Sequence, residues 1–492
     1  LSIIDLFTQD SVALSERVSR GMQAFYTEKD DVAEFDQRQL LDKLSSLSIP
    51  EQPLSQDDYM DMVDETILPQ CSHLASPTYL GHMTSPLPHF IPEIGRLIQT
   101  LNQNMVKMET SRGLTLLERQ LLKIIHQQVY SFEESFYTPY LRDFSQTVGI
   151  FTSGGTMANI TALWVAVKKA RTHSPQVKKW MIVGSELMHY SFDKAAALLG
   201  VELVRLPVDE HNRLNLESLR QQCNACQQKD IGVACIVAIA GTTDFGSVDA
   251  IDQIASLAQD RHIHLHVDAA WGGAFMLSKD NRALLNHIEQ ADTITIDGHK
   301  QMLMPIGTGM LFFKNPIDSQ VIRHTAPYAV RETSLDQGRF TIEGTRPANM
   351  LYLHACLHLI GKQGYNELFN KAMENIRCMA RLIGDNPAFE LLSAPTINIL
   401  GYRYIPERYR GKTLSPQDNV VINDFNQRLQ KIQRANGKSF VSRSKRKFAN
   451  YDEQELVFLR VVILSPLVAE EHIRFVLQDQ FTIAQELEKT ID

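Results

Sequence analysis

His266-Val267-Asp268-Ala269-Ala270-Trp271-Gly272-Gly273 and, further on, Asp297-Gly298-His299-Lys300 are the two stretches that decide how this chain is read. Each follows a short apolar run, Ile263–Val267 for the first and Thr293–Ile296 for the second. Each therefore reads as the exit of a buried strand. Runs of the same kind lie at Lys179–Gly184, Leu203–Val208, Ala234–Ala240 and Gly309–Phe313. Between and before them, helical spacing of apolar residues marks Ile94–Met108, Leu114–Tyr130, Thr156–Lys169 and Ile251–Gln259. Strands alternating with helices predict an α/β fold with a mostly parallel sheet covered on both faces. In such sheets ligands collect at the carboxyl ends of strands, where Asp268 and Lys300 both fall.

The flanks read differently. Residues 1–75 are expected to form a helical arm, from Ile4, Leu6 and Phe7 through Val18, Met22 and Phe25 to the segment Asp57–Leu68. A proline-punctuated stretch then leads into a large domain, 76–360. From 361 to 492 a helix near Tyr365–Gly384 precedes strand-like runs at Phe389–Leu392, Thr396–Tyr402 and Val457–Leu464, with helices near Asn419–Ala435 and Val468–Leu487. That pattern predicts a smaller α+β domain. Arg443–Lys447 is a basic cluster of the kind that usually forms a solvated loop, and no function is assigned to it.

Composition sets bounds. With 492 residues, 44% hydrophobic and 22% charged, the chain matches an ordinary soluble globular protein. A net charge of −8 argues against a nucleic-acid binder. The longest apolar stretches, such as Gly232–Gly241, are too short to span a bilayer. The chain opens on Leu1, which fits truncation or excision from a larger polypeptide, and its start lacks the character of a signal peptide. The expected setting is the cytoplasm. Six scattered cysteines agree, and Cys223/Cys226, with no second pair nearby, read as free thiols rather than a zinc site. No metal is expected.

Several further motifs sit at predicted strand exits. Phe151-Thr152-Ser153-Gly154-Gly155-Thr156 joins a strand to a helix, where Gly155 lets the backbone approach an anion and Thr156 adds a hydroxyl beside the helix N-terminus. His189, in Ser185-Glu186-Leu187-Met188-His189-Tyr190-Ser191, can stack on a planar cofactor. Thr243 reads equally as a donor to a cofactor or substrate oxygen and as part of a strand-end turn. Asp268 is a carboxylate at a buried strand end, which calls for a partner, and the small Ala270 leaves room for a flat ring. Lys300, beside His299, is a nucleophile candidate rather than a surface lysine. An amine for covalent attachment, an acid for a ring nitrogen and a phosphate cradle together meet the needs of pyridoxal phosphate.

The order of these motifs resembles the group II pyridoxal phosphate-dependent amino-acid decarboxylases, over about Ser76 to Pro466. The resemblance implies the type I aminotransferase-like fold, with a seven-stranded, mostly parallel sheet in the large domain. It implies that Lys300 links covalently to the cofactor, that Asp268 pairs with the pyridine nitrogen, and that His189 and Ala270 flank the ring. Gly155, Thr156 and His299 would hold the phosphate. Asp297 stands where some relatives carry a different polar residue, so a role at the phosphate would have to run through water or backbone. His324-Thr325-Ala326-Pro327-Tyr328 resembles the start of a mobile catalytic loop whose tyrosine protonates the carbon left by CO₂. Arg460, in Phe458-Leu459-Arg460-Val461-Val462, matches the arginine that faces the substrate carboxylate, one shared across several branches and so silent on the side chain. Ser76–Ser85 matches the substrate-side loop, contributing His82 and Thr84.

The implied reaction is α-decarboxylation of an L-amino acid to CO₂ and an amine. The overall pattern looks most like the bacterial branch containing diaminobutyrate, aspartate and glutamate decarboxylases. The leading expectation is L-2,4-diaminobutyrate to 1,3-diaminopropane. The alternatives are glutamate to GABA and aspartate to β-alanine, with an aminotransferase on the same fold behind them. The resemblance also implies a homodimer with cofactor sites near the interface, and no membrane or nucleic-acid partner.

Overall fold

The computed structural model describes residues 12–28, 37–45, 47–84, 86–326, 331 and 333–489. Tyr328 and the opening Ile4, Leu6 and Phe7 lie outside them, as does Ser85.

Seven strands form the large sheet: β1 Gly149–Thr152, β2 Lys179–Ser185, β3 Glu202–Leu206, β4 Ile231–Ile239, β5 His264–Asp268, β6 Thr293–Asp297 and β7 Gly309–Phe313. Their spatial order is β1-β7-β6-β5-β4-β2-β3. β7 runs antiparallel to both neighbours, and the other pairings are parallel. The α/β expectation holds, with strand ends shifted by a few residues at most sites.

Alternation along the strands sorts the core into two faces. Ile236, Ala238, Leu265 and Val267 pack with Leu219, Ile251 and Ile254 from helices Leu216–Gln228 and Ile251–Asp260. Cys235, Val237 and Ile239 face Ile160 and Leu163 of helix Gly155–His173. On β5 that second face carries His264, His266 and Asp268, all buried. A polar stripe on a fully buried strand demands internal partners, and the site below supplies them.

Two expectations are corrected. The helix predicted over Ile94–Met108 spans Ile91–Leu101 instead. Asn102 takes a left-handed conformation (φ 43°) and caps it, and the Asn104 side chain accepts from Val106 N to turn the chain. The basic cluster Arg443–Lys447 is not a loop. It lies in β10 Ser442–Phe448, the edge of a four-stranded antiparallel sheet ordered β10-β11-β9-β8. The other strands are β11 Gln454–Val462, β9 Ile399–Tyr404 and β8 Phe389–Leu391. Charged side chains are tolerated there because alternate residues of an edge strand face solvent.

Helices Gly361–Gly384, Pro416–Asn436 and Glu470–Glu488 accompany this second sheet. Near the start of the chain, helix Val12–Glu28 is tied to Gln56–Met62 and the π turn after it by Arg17, which pairs with Asp61 and Asp64. Among the described residues no helix is long and apolar enough to cross a membrane.

The segment at 78–80 crosses to the second sheet. Phe440 N donates to Thr78 O, Leu80 N to Phe440 O, and Val462 N to Leu80 O. These bonds bring the 81–84 loop against β11.

Candidate active site

A cavity of about 340 Å³ opens at the carboxyl ends of β4, β5 and β6. Its lining includes Gly155, Thr156, His189, Thr243, Asp268, Ala270, Asp297, His299 and Lys300. These residues were separated widely in sequence, and the parallel sheet gathers them.

One end of the cavity is an anion cradle. Gly154 (φ 151°) is the N-cap of helix Gly155–His173. Gly155 and Thr156 open that helix, where backbone N–H groups have no intrahelical acceptor and the dipole is positive. A Cβ on Gly155 would lie 2.8 Å from Asp297 Oδ2, so only glycine fits there. His299 Nδ1 donates to Thr308 O at 2.6 Å, which fixes the ring.

Two carboxylates stand at the ends of adjacent strands. Asp268 Oδ2 accepts from Asn159 Nδ2 at 3.0 Å, and Oδ1 accepts from Ala270 N at 3.1 Å. Asp297 pairs with Lys300 Nζ at 3.1 Å through Oδ2, while its buried Oδ1 has no protein partner. His299 Nε2 is 3.6 Å from the same Oδ2. His189 is half-buried, and burial is the leading cause that draws its pKa below 6.5. Its Nδ1 accepts from the Ser191 backbone N–H at 3.2 Å and lies 3.0 Å from Ser191 Oγ.

The opposite side is built by other parts of the chain. Arg460 extends from β11 into contact with three neutral acceptors: Ser442 Oγ (2.9 Å), Gly81 O (3.1 Å) and Thr243 O (3.2 Å). No carboxylate within ion-pair distance of Arg460 occurs among the described residues. Burial lowers its pKa, and nearby Asp244 partly offsets that. Asp244 itself is paired with Arg446 Nε of β10 at 2.7 Å. His82 is next to Arg460, packed on Tyr79 and Phe440. Burial first, then Arg460 and Arg434, lower its pKa. His82 and Thr84 do not line the cavity, whereas Met83 between them does. Thr84 Oγ1 is buried without a partner.

The two described flanks of residues 327–330 both bond to Arg339. Arg339 O accepts from His324 N, and the Arg339 guanidinium bonds the carbonyls of Arg331 and Ser334.

Reading the sequence missed Asn159, Met83 and the Asp244–Arg446 pair. Asn159 was within reach, since it stands one helical turn beyond Gly155 and so shares its face. Arg446 carried no signal, because its partner is about 200 residues away.

The residues present fit pyridoxal phosphate. Unpaired N–H groups would meet the phosphate, Asp268 presents a carboxylate to the cavity, and Lys300 lines the same space. A sheet of this topology with that cradle and that Lys–Asp arrangement defines a pyridoxal phosphate-dependent α/β enzyme. A model of the pyridoxal-dependent decarboxylase conserved domain matches residues 38–405, and the chain belongs to this family. The chain is similar to aspartate 1-decarboxylase of Aliivibrio fischeri, 35% identical over 96% of this chain and 92% of that one. It is 26% identical to L-2,4-diaminobutyrate decarboxylase of Acinetobacter baumannii, over 84% of this chain and 81% of the relative. Among solved structures, mouse CSAD shares the fold, with a TM-score of 0.85 at 21% identity, covering 96% of this chain and 99% of that one. The protein is a pyridoxal phosphate-dependent carboxy-lyase acting on an amino acid.

Proposed function

We propose that the substrate is L-aspartate and the product β-alanine, in place of the diaminobutyrate expected from sequence. The carrying observation is the charge on the substrate side. Among the described residues Arg460 has no acid within ion-pair distance, and nearby Asp244 is already engaged by Arg446. Any L-amino acid brings an α-carboxylate to Arg460; aspartate adds a second carboxylate to these cationic surroundings, whereas diaminobutyrate adds an ammonium for which no free acid stands beside Arg460 among the described residues. The 35% identity to an aspartate 1-decarboxylase supports the same reading.

In this reading Lys300 would hold the cofactor through its side-chain amine. The cofactor supplies a protonated ring that accepts the electron pair freed when CO₂ leaves. Asp268 holds the proton on the ring nitrogen. His189 and Ala270 confine the ring from its two faces. Gly155, Thr156 and His299 fix the phosphate end. Asp297 receives the Lys300 ammonium when that amine is free. Arg460 holds a substrate carboxylate, with Thr243 and the His82–Thr84 loop beside it. Tyr328 returns a proton to Cα.

A homodimer belongs to the same proposal. Leu97 and Leu101, exposed one turn apart on helix Ile91–Leu101, supply apolar surface for it, and sedimentation of a monomer at micromolar concentration would refute it.

The test is CO₂ and amine release from separate L-amino acids by cofactor-loaded protein. Aspartate is expected to give the highest kcat/KM. A higher value for diaminobutyrate or glutamate would sink the assignment.

A further inference from the structure

Behind Asp268 runs a chain of buried polar side chains whose direction can be deduced. Asn159 Nδ2 lies 3.0 Å from Asp268 Oδ2 and 3.1 Å from Ser191 Oγ. A carboxylate only accepts, so the amide must turn its NH₂ towards Asp268 and its Oδ1 away. His266 Nε2, 3.1 Å from Asn159 Oδ1, must then carry the hydrogen. His266 Nδ1 is left as an acceptor for Thr293 Oγ1 at 3.0 Å. Thr293 in turn accepts from His264 Nε2 at 2.9 Å. The other branch is equally determined. Ser191 N donates to His189 Nδ1, so Ser191 Oγ, which accepts from Asn159, can only donate to that same nitrogen. His189 therefore carries its hydrogen on Nε2.

Every link points one way: His264 to Thr293 to His266 to Asn159, then out to Asp268 and to Ser191–His189. His264, His266, Thr293, Asn159 and Ser191 are all buried. Burial draws the pKa of His266 down to about 4 and that of His264 to about 3, so both rings are neutral and each donates through one nitrogen only. His264 Nδ1, at the tail, has no hydrogen-bond partner.

We propose that Asn159 and His266 are positioning residues, forming a one-way hydrogen-bond chain that sets Asp268 and His189 in a common frame around the cofactor ring. A single amide group touches both branches, so the acid at the ring nitrogen and the histidine over the ring cannot shift independently. This inference rests on the reading that Asp268 meets the ring nitrogen. It goes beyond that reading by assigning the control of both groups to Asn159, at the cavity wall, and to His266, which does not line the cavity.

The experiment compares cofactor-loaded variants by three readouts: cofactor dissociation constant, position of the bound cofactor's visible absorbance band, and kcat against KM. Asn159→Asp keeps the shape of the side chain but turns an acceptor towards Asp268. It is expected to weaken cofactor binding and to lower kcat by about 10- to 100-fold, the cost of mispairing a buried group, with a shifted band and little change in KM. His266→Leu should move the same readouts in the same direction. His266→Gln, whose amide can still donate to Asn159 Oδ1, should recover most of the loss. A role limited to satisfying buried groups would lower the melting temperature and leave the band and the kcat/KM split alone. If His266→Leu fails to fold, Thr293→Val cuts the same chain with an isosteric side chain and is expected to give a smaller shift of the same sign.

Asp268→Asn separates the two readings. Wild-type band and kcat in that variant would overturn the Asp268 assignment and the chain with it. Loss in Asp268→Asn, combined with wild-type affinity, band and kcat in folded Asn159→Asp, would overturn the chain alone.

Discussion

On one side of the cavity, Asp268, Asp297 and Lys300 stand at or just beyond the ends of neighbouring strands of a single sheet. On the other side, Gly81, Thr243 and Arg460 meet from three distant stretches, held by Arg460's bonds to two backbone carbonyls. On the cofactor side Asp268, Asn159, His266, Thr293 and Ser191 are buried and hydrogen-bonded in one connected set. The substrate side is hinged on a charged residue that has neutral acceptors and, among the described residues, no counter-ion in ion-pair range. Chemistry common to a family can be built into a rigid sheet, while the choice of substrate can be left to residues that reach it from a second sheet.

Mutations can break this contrast at either side. The largest effect is expected from Lys300→Ala. Turnover should vanish, and reduction with borohydride should leave no cofactor on the protein by mass spectrometry. Residual decarboxylation at wild-type rate would dismiss Lys300. Tyr328→Phe should lower kcat by about 100-fold or more, the usual worth of a placed proton donor. It should also divert part of the flux to an oxo-acid or aldehyde product, read by chromatography, and unchanged product would remove Tyr328 from the mechanism.

Arg460→Met tests the substrate side. Loss of one member of a buried charge pair costs about 2–5 kcal/mol, so KM for aspartate should rise at least about 30-fold on that scale. The cofactor's dissociation constant should hold. Equal loss of cofactor binding would merge the two sides into one.

Acid separates them further. His264 and His266 have pKa values near 3 and 4, drawn down from 6.5 by burial. Between about pH 6.5 and 4 the unfolded chain binds more protons than the folded one. Stability is therefore full above pH 6.5 and falls as the pH drops, at up to about 1.4 kcal/mol per pH unit for each ring. Thermal melts across that range should show the fall, and His266→Gln should make it shallower.

The smallest effect is expected at Arg446. Its guanidinium is partly exposed, and Arg446→Ala should change KM only a few-fold, in line with the modest worth of such pairs. A loss as large as that of Arg460→Met would mean that Asp244 acts directly on the substrate.

The sequence was legible where local pattern and chemistry coincide. The strands ending in Asp268 and Asp297 are short buried runs with a polar residue at the exit, and the Gly154–Gly155 turn announces a helix start. The alternation His264, His266, Asp268 was present too, but its meaning depends on Asn159 and Thr293 lying opposite, which only the packed helix and β6 reveal. The substrate side was not legible. Polar His82 and Thr84 argue against a purely aromatic pocket, yet Met83 is the member of that loop that lines the cavity. Arg460 dominates the local charge only because the 78–80 segment joins the second sheet. The helix running to Met108 was overshot because the apolar spacing continues past Asn102, whose left-handed turn ends it.

The edge strand β10 has one more consequence. Arg443, Lys445 and Lys447 are exposed at every second residue along this edge strand, Lys445 pairing with Glu455 at 2.8 Å and Arg443 donating to Gln427 O at 3.1 Å. Another strand arriving at that rim would bring its own backbone into register beside three like charges. Where two molecules meet rim to rim, those charges would oppose each other, and pairing of sheets across molecules is blocked before it can seed aggregation. The outward members of the run thus oppose strand addition at this edge, while Arg446 between them turns inward to Asp244.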